Sequence, residues 1–294
     1  MIRRERGFSL VEMLISMVIA IIMVAVMYSF FTNQHRTYVV QDNVADMQQN
    51  ARMALLTVFR NVRMAGYGVP TTCAMAAINN VAGPDGIFVS DASAIQTLPD
   101  SEIFFAELTA NANAGDSSIT LTTTDIDDNG TDDFVNRGAL IITDGTNTEG
   151  LVIASTVGNT VTFVAPFLQN NYPADVTRVV PAIFYNVAGG NLLQDNQPLA
   201  FDIEDLQISY QDANGTWYCN APGASSPTDV PPADIASIRV VEINVLARTK
   251  AEDASEIRFT QPSIKDHSVG SSPQTGFRRR LLTTRVNVRN MGRL

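Results

Sequence analysis

The amino-terminal stretch from Arg3 to Phe31 sets the tightest limit on what this chain can fold into. Arg3, Arg4, Glu5 and Arg6 lead to Gly7, and an apolar run opens at Phe8. From Leu10 to Phe31 only Glu12, Ser16 and Ser29 are clearly polar. Coiled as a helix at about 1.5 Å per residue, that run reaches roughly 33 Å, enough to cross the hydrocarbon layer of a membrane. A secretory signal is shorter and carries its small-residue cleavage site after the apolar segment; here the small residue, Gly7, precedes it. The three leader arginines predict a cytoplasmic amino end, with the rest of the chain on the far side of the membrane. Glu12 breaks the pattern. A carboxylate inside a membrane helix costs on the order of 1 to 3 kcal/mol, so it either snorkels to the interface or has a partner.

The helical pattern does not stop at the membrane. Apolar or small residues recur at Val40, Val44, Met47, Ala51, Ala54 or Leu55, Val58, Val62 and Ala65, in steps of three and four that define one buried face. No proline or glycine interrupts Phe8 to Ala65, and Gly66, Gly68 and Pro70 then end the pattern. The expectation is one helix over 8–66, with 8–31 embedded in the membrane and the rest lying on a globular head over 67–294. A free coiled-coil stalk is the competing reading; the β-rich region that follows needs a covering layer and favours the head.

That region reads as short strands, with β-branched or alternating runs at 103–108, 118–123, 138–143, 151–155, 161–165, 178–186, 206–211, 237–247 and 281–289. Hairpin turns are expected at Val157-Gly158-Asn159, Gly189-Gly190-Asn191 and Asp212-Ala213-Asn214-Gly215. The segment 103–170 stands out as a candidate β subdomain, and 220–234 and 251–276 read as loops. The fold class is therefore α+β, a long amino-terminal helix with an antiparallel β-rich head.

Composition narrows the function. Without residues 1–7 the chain carries 17 basic and 29 acidic side chains, a net charge of −12, which argues against nucleic-acid binding. Cys73 and Cys219 fit neither a zinc pattern nor C-x-x-C. In an oxidising compartment a Cys73–Cys219 disulfide is the default, with two separate thiols as the alternative. Such a bridge would stabilise the fold by up to about 5 kcal/mol on the chain-entropy model. The two histidines, His35 and His267, have no second histidine, cysteine or nucleophile motif near them in sequence, and no phosphate-binding glycine loop is present. Catalysis is the weakest reading, and no cofactor is required.

After its basic leader, Gly7-Phe8-Ser9-Leu10-Val11-Glu12 resembles the type III signal of type IV pilins and pseudopilins. Arg63-Met64-Ala65-Gly66-Tyr67 resembles a run found in PilW-type minor pilins. So does the stretch 48–60 before it, and Cys73 follows where that family often has a cysteine. The end of the chain, Phe277 to Asn290, resembles the carboxyl terminus of the same family. The resemblance implies cleavage after Gly7 and methylation of the Phe8 amine by a prepilin peptidase. It also implies that Glu12 pairs with the Phe8 amine of a neighbouring subunit, since opposite charges in an apolar helix bundle are tolerable only together.

Further implications concern role and place. They are assembly, initiation or tip formation in a type IV pilus, with other minor and major pilins and the inner-membrane assembly platform as partners. The chain would sit in the inner membrane before assembly and on the pilus or cell surface after it. A J-type pseudopilin of type II secretion and a displayed adhesive module are the alternatives. The arginine triplet 278–280 either meets an acidic partner or anionic headgroups, or flanks and solubilises a terminal strand.

One acidic stretch has its own chemistry. Asp125, Asp127, Asn129, Thr131 and Asp133 follow the D-x-D-x-N-G-x-x-D spacing of an EF-hand-like calcium loop, with Gly130 at the sharp turn. The twelfth position departs from the pattern with Asn136 in place of a bidentate glutamate, which predicts weak affinity. A solvated acidic turn is the competing reading, because the same residues are turn formers.

Overall fold

The computed structural model describes residues 9–92, 103–135, 137–220, 232–253, 257–269 and 274–291. Helix α1 runs from Leu10 to Met64, 55 residues, so it is about 82 Å long. It stops where the sequence offers a stop. Gly66 takes a φ of +80°, a conformation that disfavours a side chain, and the Tyr67 amide bonds to the Met64 carbonyl. Asn290, near the end of the chain, donates its side-chain amide to the Met64 carbonyl at 3.1 Å, so the last residues of the protein cap its first element.

Fourteen strands form two antiparallel sheets among the described residues. They are β1 (Met75–Ile78), β2 (Gly86–Val89), β3 (Ala106–Glu107), β4 (Ser118–Thr120), β5 (Ala139–Thr143), β6 (Thr148–Val157) and β7 (Thr160–Phe163). The others are β8 (Arg178–Ala188), β9 (Asn191–Gln194), β10 (Gln197–Phe201), β11 (Ile203–Asp212), β12 (Trp217–Tyr218), β13 (Ile238–Arg248) and β14 (Arg279–Asn287). The first sheet follows the order β1-β2-β8-β5-β6-β7-β4, with β3 and the β9–β10 hairpin also attached through β8. The second has the order β12-β11-β13-β14.

Strand β8 joins the parts because its 11 residues pair with β5 and β3 along one half and β2 and β9 along the other. The three expected hairpin turns appear between β6 and β7, β8 and β9, and β11 and β12. Residues 106–172 gather a hydrophobic cluster of their own around Leu121, Phe134, Leu140 and Tyr172, yet their strands continue the first sheet through β5. Close packing replaces a side chain at Gly150, where a Cβ would lie 2.1 Å from the Phe88 ring. That ring in turn stacks on Phe184 at 4.2 Å.

The second half of α1 buries Met47, Ala51, Ala54, Val58 and Val62 against β10, β13 and β14, the face that the sequence period marks. Val40 and Val44 are half-buried where the helix begins to leave the head. Across from the helix, the inward-pointing Val241, Ile243 and Val245 of β13 and Leu206, Ile208 and Tyr210 of β11 complete the core. The helix is therefore fixed to the head along its second half, which rules out a free stalk.

Candidate functional site

Among the described residues, nothing covers the first half of the helix. Its apolar stretch is nowhere buried by the described residues. Leu10, Ile15, Ile19, Ile22, Val26 and Phe30 are all more than half exposed. So much contiguous apolar surface is stable only in lipid or against other apolar helices. Aromatic Tyr28, Phe30, Phe31 and Tyr38 mark the upper end of this stretch, with His35 and Arg36 among them, a composition suited to the membrane–water boundary.

Glu12 lies in the first turn of α1, exposed, and Ser16 donates its hydroxyl to the Glu12 carbonyl at 2.8 Å. A carboxylate in the first turn is favoured by the helix dipole, which offsets part of its cost in lipid. Gly7 and Phe8, the expected cleavage and methylation residues, lie outside the described residues.

In the acidic loop the expected groups do come together. Carboxylate oxygens of Asp125, Asp127 and Asp133 lie within 4.8 Å of one another. The Asp125 carboxylate accepts the Asn129 and Gly130 amides at 3.0 and 2.6 Å, and the Asn129 side-chain oxygen accepts the Thr131 amide at 2.8 Å. Asp128 and Gly130, at φ of 54° and 84°, supply the sharp turn. Burial raises the pKa of Asp133, and the charges of Asp127 and Asp125 raise it further against the hydrogen bond from the Ile126 amide. Convergent carboxylates of this kind fit a hard divalent cation. Asn136, the twelfth position, lies outside the described residues.

The expected disulfide is corrected by the structure. Cys73 and Cys219 are both buried and are not joined to each other. Cys73 packs with Val69, Phe88 and Ala139, while Cys219 belongs to the core under the helix, so each thiol fills a different hydrophobic cluster. Burial pushes the Cys73 thiol up to about 12, which leaves it protonated and unreactive.

Sequence reasoning missed a buried polar layer on the outer face of the second sheet. Asp205, Gln207, Glu242 and Asn244 point away from the helix yet are buried, because residues 263–267 cross over them. His267 Nδ1 lies 2.7 Å from Asp205 Oδ2, and Glu242 is held between Lys265 and Arg285. Burial works to raise the Glu242 pKa, but these two cations outweigh it and hold the carboxyl below its usual range. Asp85 reaches the same layer and accepts the Asn80 and Ile208 amides at 2.9 and 2.8 Å. Burial, with Asp266 and Asp205 nearby, pushes its pKa up to about 8.

A His–Asp pair is half of a nucleophile-activating arrangement. Among the described residues, however, no serine or cysteine side chain is hydrogen-bonded to His267. The layer fastens a crossing segment onto a sheet. The alternation of polar Asp205, Gln207 and Ser209 with apolar Leu206, Ile208 and Tyr210 was the signal available in the sequence.

Comparison with known proteins adds two family matches. Residues 167–290 match the family described as type IV pilus-assembly protein W, and residues 2–28 match the prokaryotic N-terminal methylation motif. Among curated proteins none matches the sequence. Among solved structures, a type IV-like pilin from Thermus thermophilus overlays 84% of this chain and 98% of its own, at 12% identity and a TM-score of 0.41.

Proposed function

We propose that the chain, whose residues 167–290 and 2–28 match the type IV pilus-assembly protein W family and the N-terminal methylation motif, is a PilW-type minor pilin that serves as an assembly subunit, structural and not catalytic, at the initiation or tip of the fibre. Prepilin peptidase cleaves after Gly7 and methylates the Phe8 amine. The mature helix then waits in the inner membrane with its amino end on the cytoplasmic side. The assembly platform moves it from lipid into the growing fibre, where helices of other minor and major pilins replace lipid around it. Glu12 pairs with the Phe8 amine of a neighbour and sets the axial register.

The observation that carries this reading is the division of α1: an apolar half left exposed by the described residues, continuous with a half clamped to the head. Rigid continuity lets a pull on the helix move the head with it. Glu12→Ala tests the reading. The variant is expected to insert in the membrane at the wild-type level, because its helix is more apolar. Its amount in sheared fibres is expected to fall at least about tenfold, the loss of a buried charge pair worth more than ~1.4 kcal/mol. Wild-type incorporation would remove the registering role.

A second reading rests on the acidic loop. The three converging carboxylates support a Ca2+ site formed by Asp125, Asp127 and Asp133, with the Asn129 side chain and the Thr131 carbonyl as further oxygen donors. A bound cation would relieve the repulsion that raises the Asp133 pKa and order the turn in the head.

A further inference from the structure

We infer that Lys265 and Asn220 form an intramolecular isopeptide bond, with Glu242 as the base, which staples the segment crossing the second sheet to the chain just after β12. The inference goes beyond the assembly reading above and does not depend on it.

The three groups meet over the outer face of the second sheet. Lys265 Nζ donates to Asn220 Oδ1 at 3.0 Å and is also paired with Glu242 Oε1. The Glu242 side chain is 3% exposed and that of Lys265 21%, so water is largely kept from their contact. Asn220 is half-buried.

Each group comes from a different part of the chain and is held in place there. Glu242 on β13 stands opposite Ser209 of β11. The Ser209 hydroxyl donates to the Cys219 carbonyl at 2.7 Å, which ties the residue before Asn220 to the same row. Lys265 lies on a tight turn closed by two backbone bonds between Ile264 and His267, at 3.1 and 3.0 Å. Buried Ile264 and the contact of His267 with Asp205 hold that turn on the sheet. The backbone is unusual on both sides of the contact. Cys219 and Lys265 each take a φ of 53°, in the left-handed region that disfavours a side chain. An ordinary surface ion pair requires neither the burial nor this backbone.

The arrangement supplies every part of an amide exchange. Asn220 is the electrophile, because an ionised carboxylate such as Glu242 resists attack. Arg285 holds Glu242 Oε2 and never gives up its proton, so it cannot compete as nucleophile. Glu242 Oε1 takes one proton from the Lys265 ammonium, and the freed lone pair of Nζ attacks Asn220 Cγ, pushing the C=O electrons onto Oδ1. Glu242 passes that proton to Nδ2. The Oδ1 electrons then re-form the C=O, and the Cγ–Nδ2 bond breaks with its electron pair. The departing ammonia takes the second Nζ proton and leaves as ammonium, and Glu242 is again ionised. No oxidant, metal or further reactant enters.

Two opposing effects set the pace. Fixed contact between the nucleophile and the carbonyl favours reaction. The two cations that hold the Glu242 carboxyl below its usual range make it a weak base and the reaction slow. Slowness is tolerable in a step that occurs once per molecule and whose ammonium diffuses away. The product ties residue 220 to residue 265 covalently, a role that the unjoined Cys73 and Cys219 do not fill.

The test is mass spectrometry of the full chain, purified from membranes in detergent and digested after denaturation. The peptide containing Asn220 is expected joined to the one containing Lys265, at their summed mass less one ammonia. Lys265→Arg keeps the charge and Glu242→Gln keeps the shape; both variants are expected to give separate peptides of full mass.

Separate, full-mass peptides from the wild-type chain would overturn the inference, and that digest decides the matter whether or not the variants fold. Closure of Asn220 on its own backbone also loses ammonia, but it yields no joined peptide and would overturn the bond equally. Joined peptides lighter by one water would place the bond on Glu242 and overturn Asn220 as its acceptor. A joined pair that persists in Glu242→Gln would overturn Glu242 as the base. Since the readout needs no fibre, failure here leaves the assembly reading standing.

Discussion

Asp85, buried in the head, and Glu12, on an exposed apolar helix, are carboxylates that pose opposite problems. Asp85 is 3% exposed and keeps its place through two backbone amides, yet its pKa is pushed up to about 8 by burial and by the neighbouring Asp266 and Asp205. The folded state therefore holds a proton on Asp85 that the unfolded chain gives up above pH 3.8. Its contribution to stability is complete below that value, falls as the pH rises, and is gone above about 8. Urea unfolding of the full chain in detergent is expected to give a higher midpoint at pH 5 than at pH 8. The slope attributable to Asp85 approaches ~1.4 kcal/mol per pH unit at its steepest. Asp85→Asn loses one amide bond and is weaker at pH 5, but flattens that slope; equal slopes in both proteins would assign the pH dependence elsewhere. Glu12 was visible in the sequence because it is the one acid in a mostly apolar run of 22 residues. Asp85, Asp205 and His267 were not, since they meet only after strands distant in the chain have paired.

At the scale of elements, periodicity carried most of the information. The helix face from Met47 to Val62 and the long strands β8, β11, β13 and β14 appear where alternation or three-four spacing marks them. Strands β1, β2, β9 and β10 did not announce themselves. Met-Ala-Ala-Ile has little β preference, and the other three are four- or five-residue pieces whose pairing is fixed by β8 and the core rather than by pattern. The run 103–108 shrinks to the two residues of β3, because only Ala106 and Glu107 find an edge of β8, and Leu108 bridges to Leu121 instead.

The acidic loop is an element whose geometry followed its spacing closely enough to bring three carboxylates together. Millimolar calcium is expected to raise the melting temperature of the full chain by several degrees, about what 1 to 2 kcal/mol gives in a head of this size. Asp125→Ala combined with Asp127→Ala should abolish the shift. Identical melting curves with calcium and with chelator would leave a solvated turn.

As a whole molecule, the chain is a lever with a greasy handle. The head is bound to the helix by the buried face of α1 and by the Asn290 cap, and the handle is left for lipid or for other helices. The α+β architecture and its anchoring helix were legible from sequence because a membrane span and a long amphipathic period are both strong physical signals. The disulfide expected from compartment was not found, because two buried thiols satisfied by separate hydrophobic clusters need no bridge. The central claim is that this lever is a processed pilin, and the mature amino terminus tests it most directly. Mass spectrometry of the membrane-bound and fibre-bound chain is expected to find N-methylated Phe8 as the first residue, with residues 1–7 gone. An intact Met1 in both would contradict the account and leave a signal-anchored membrane protein.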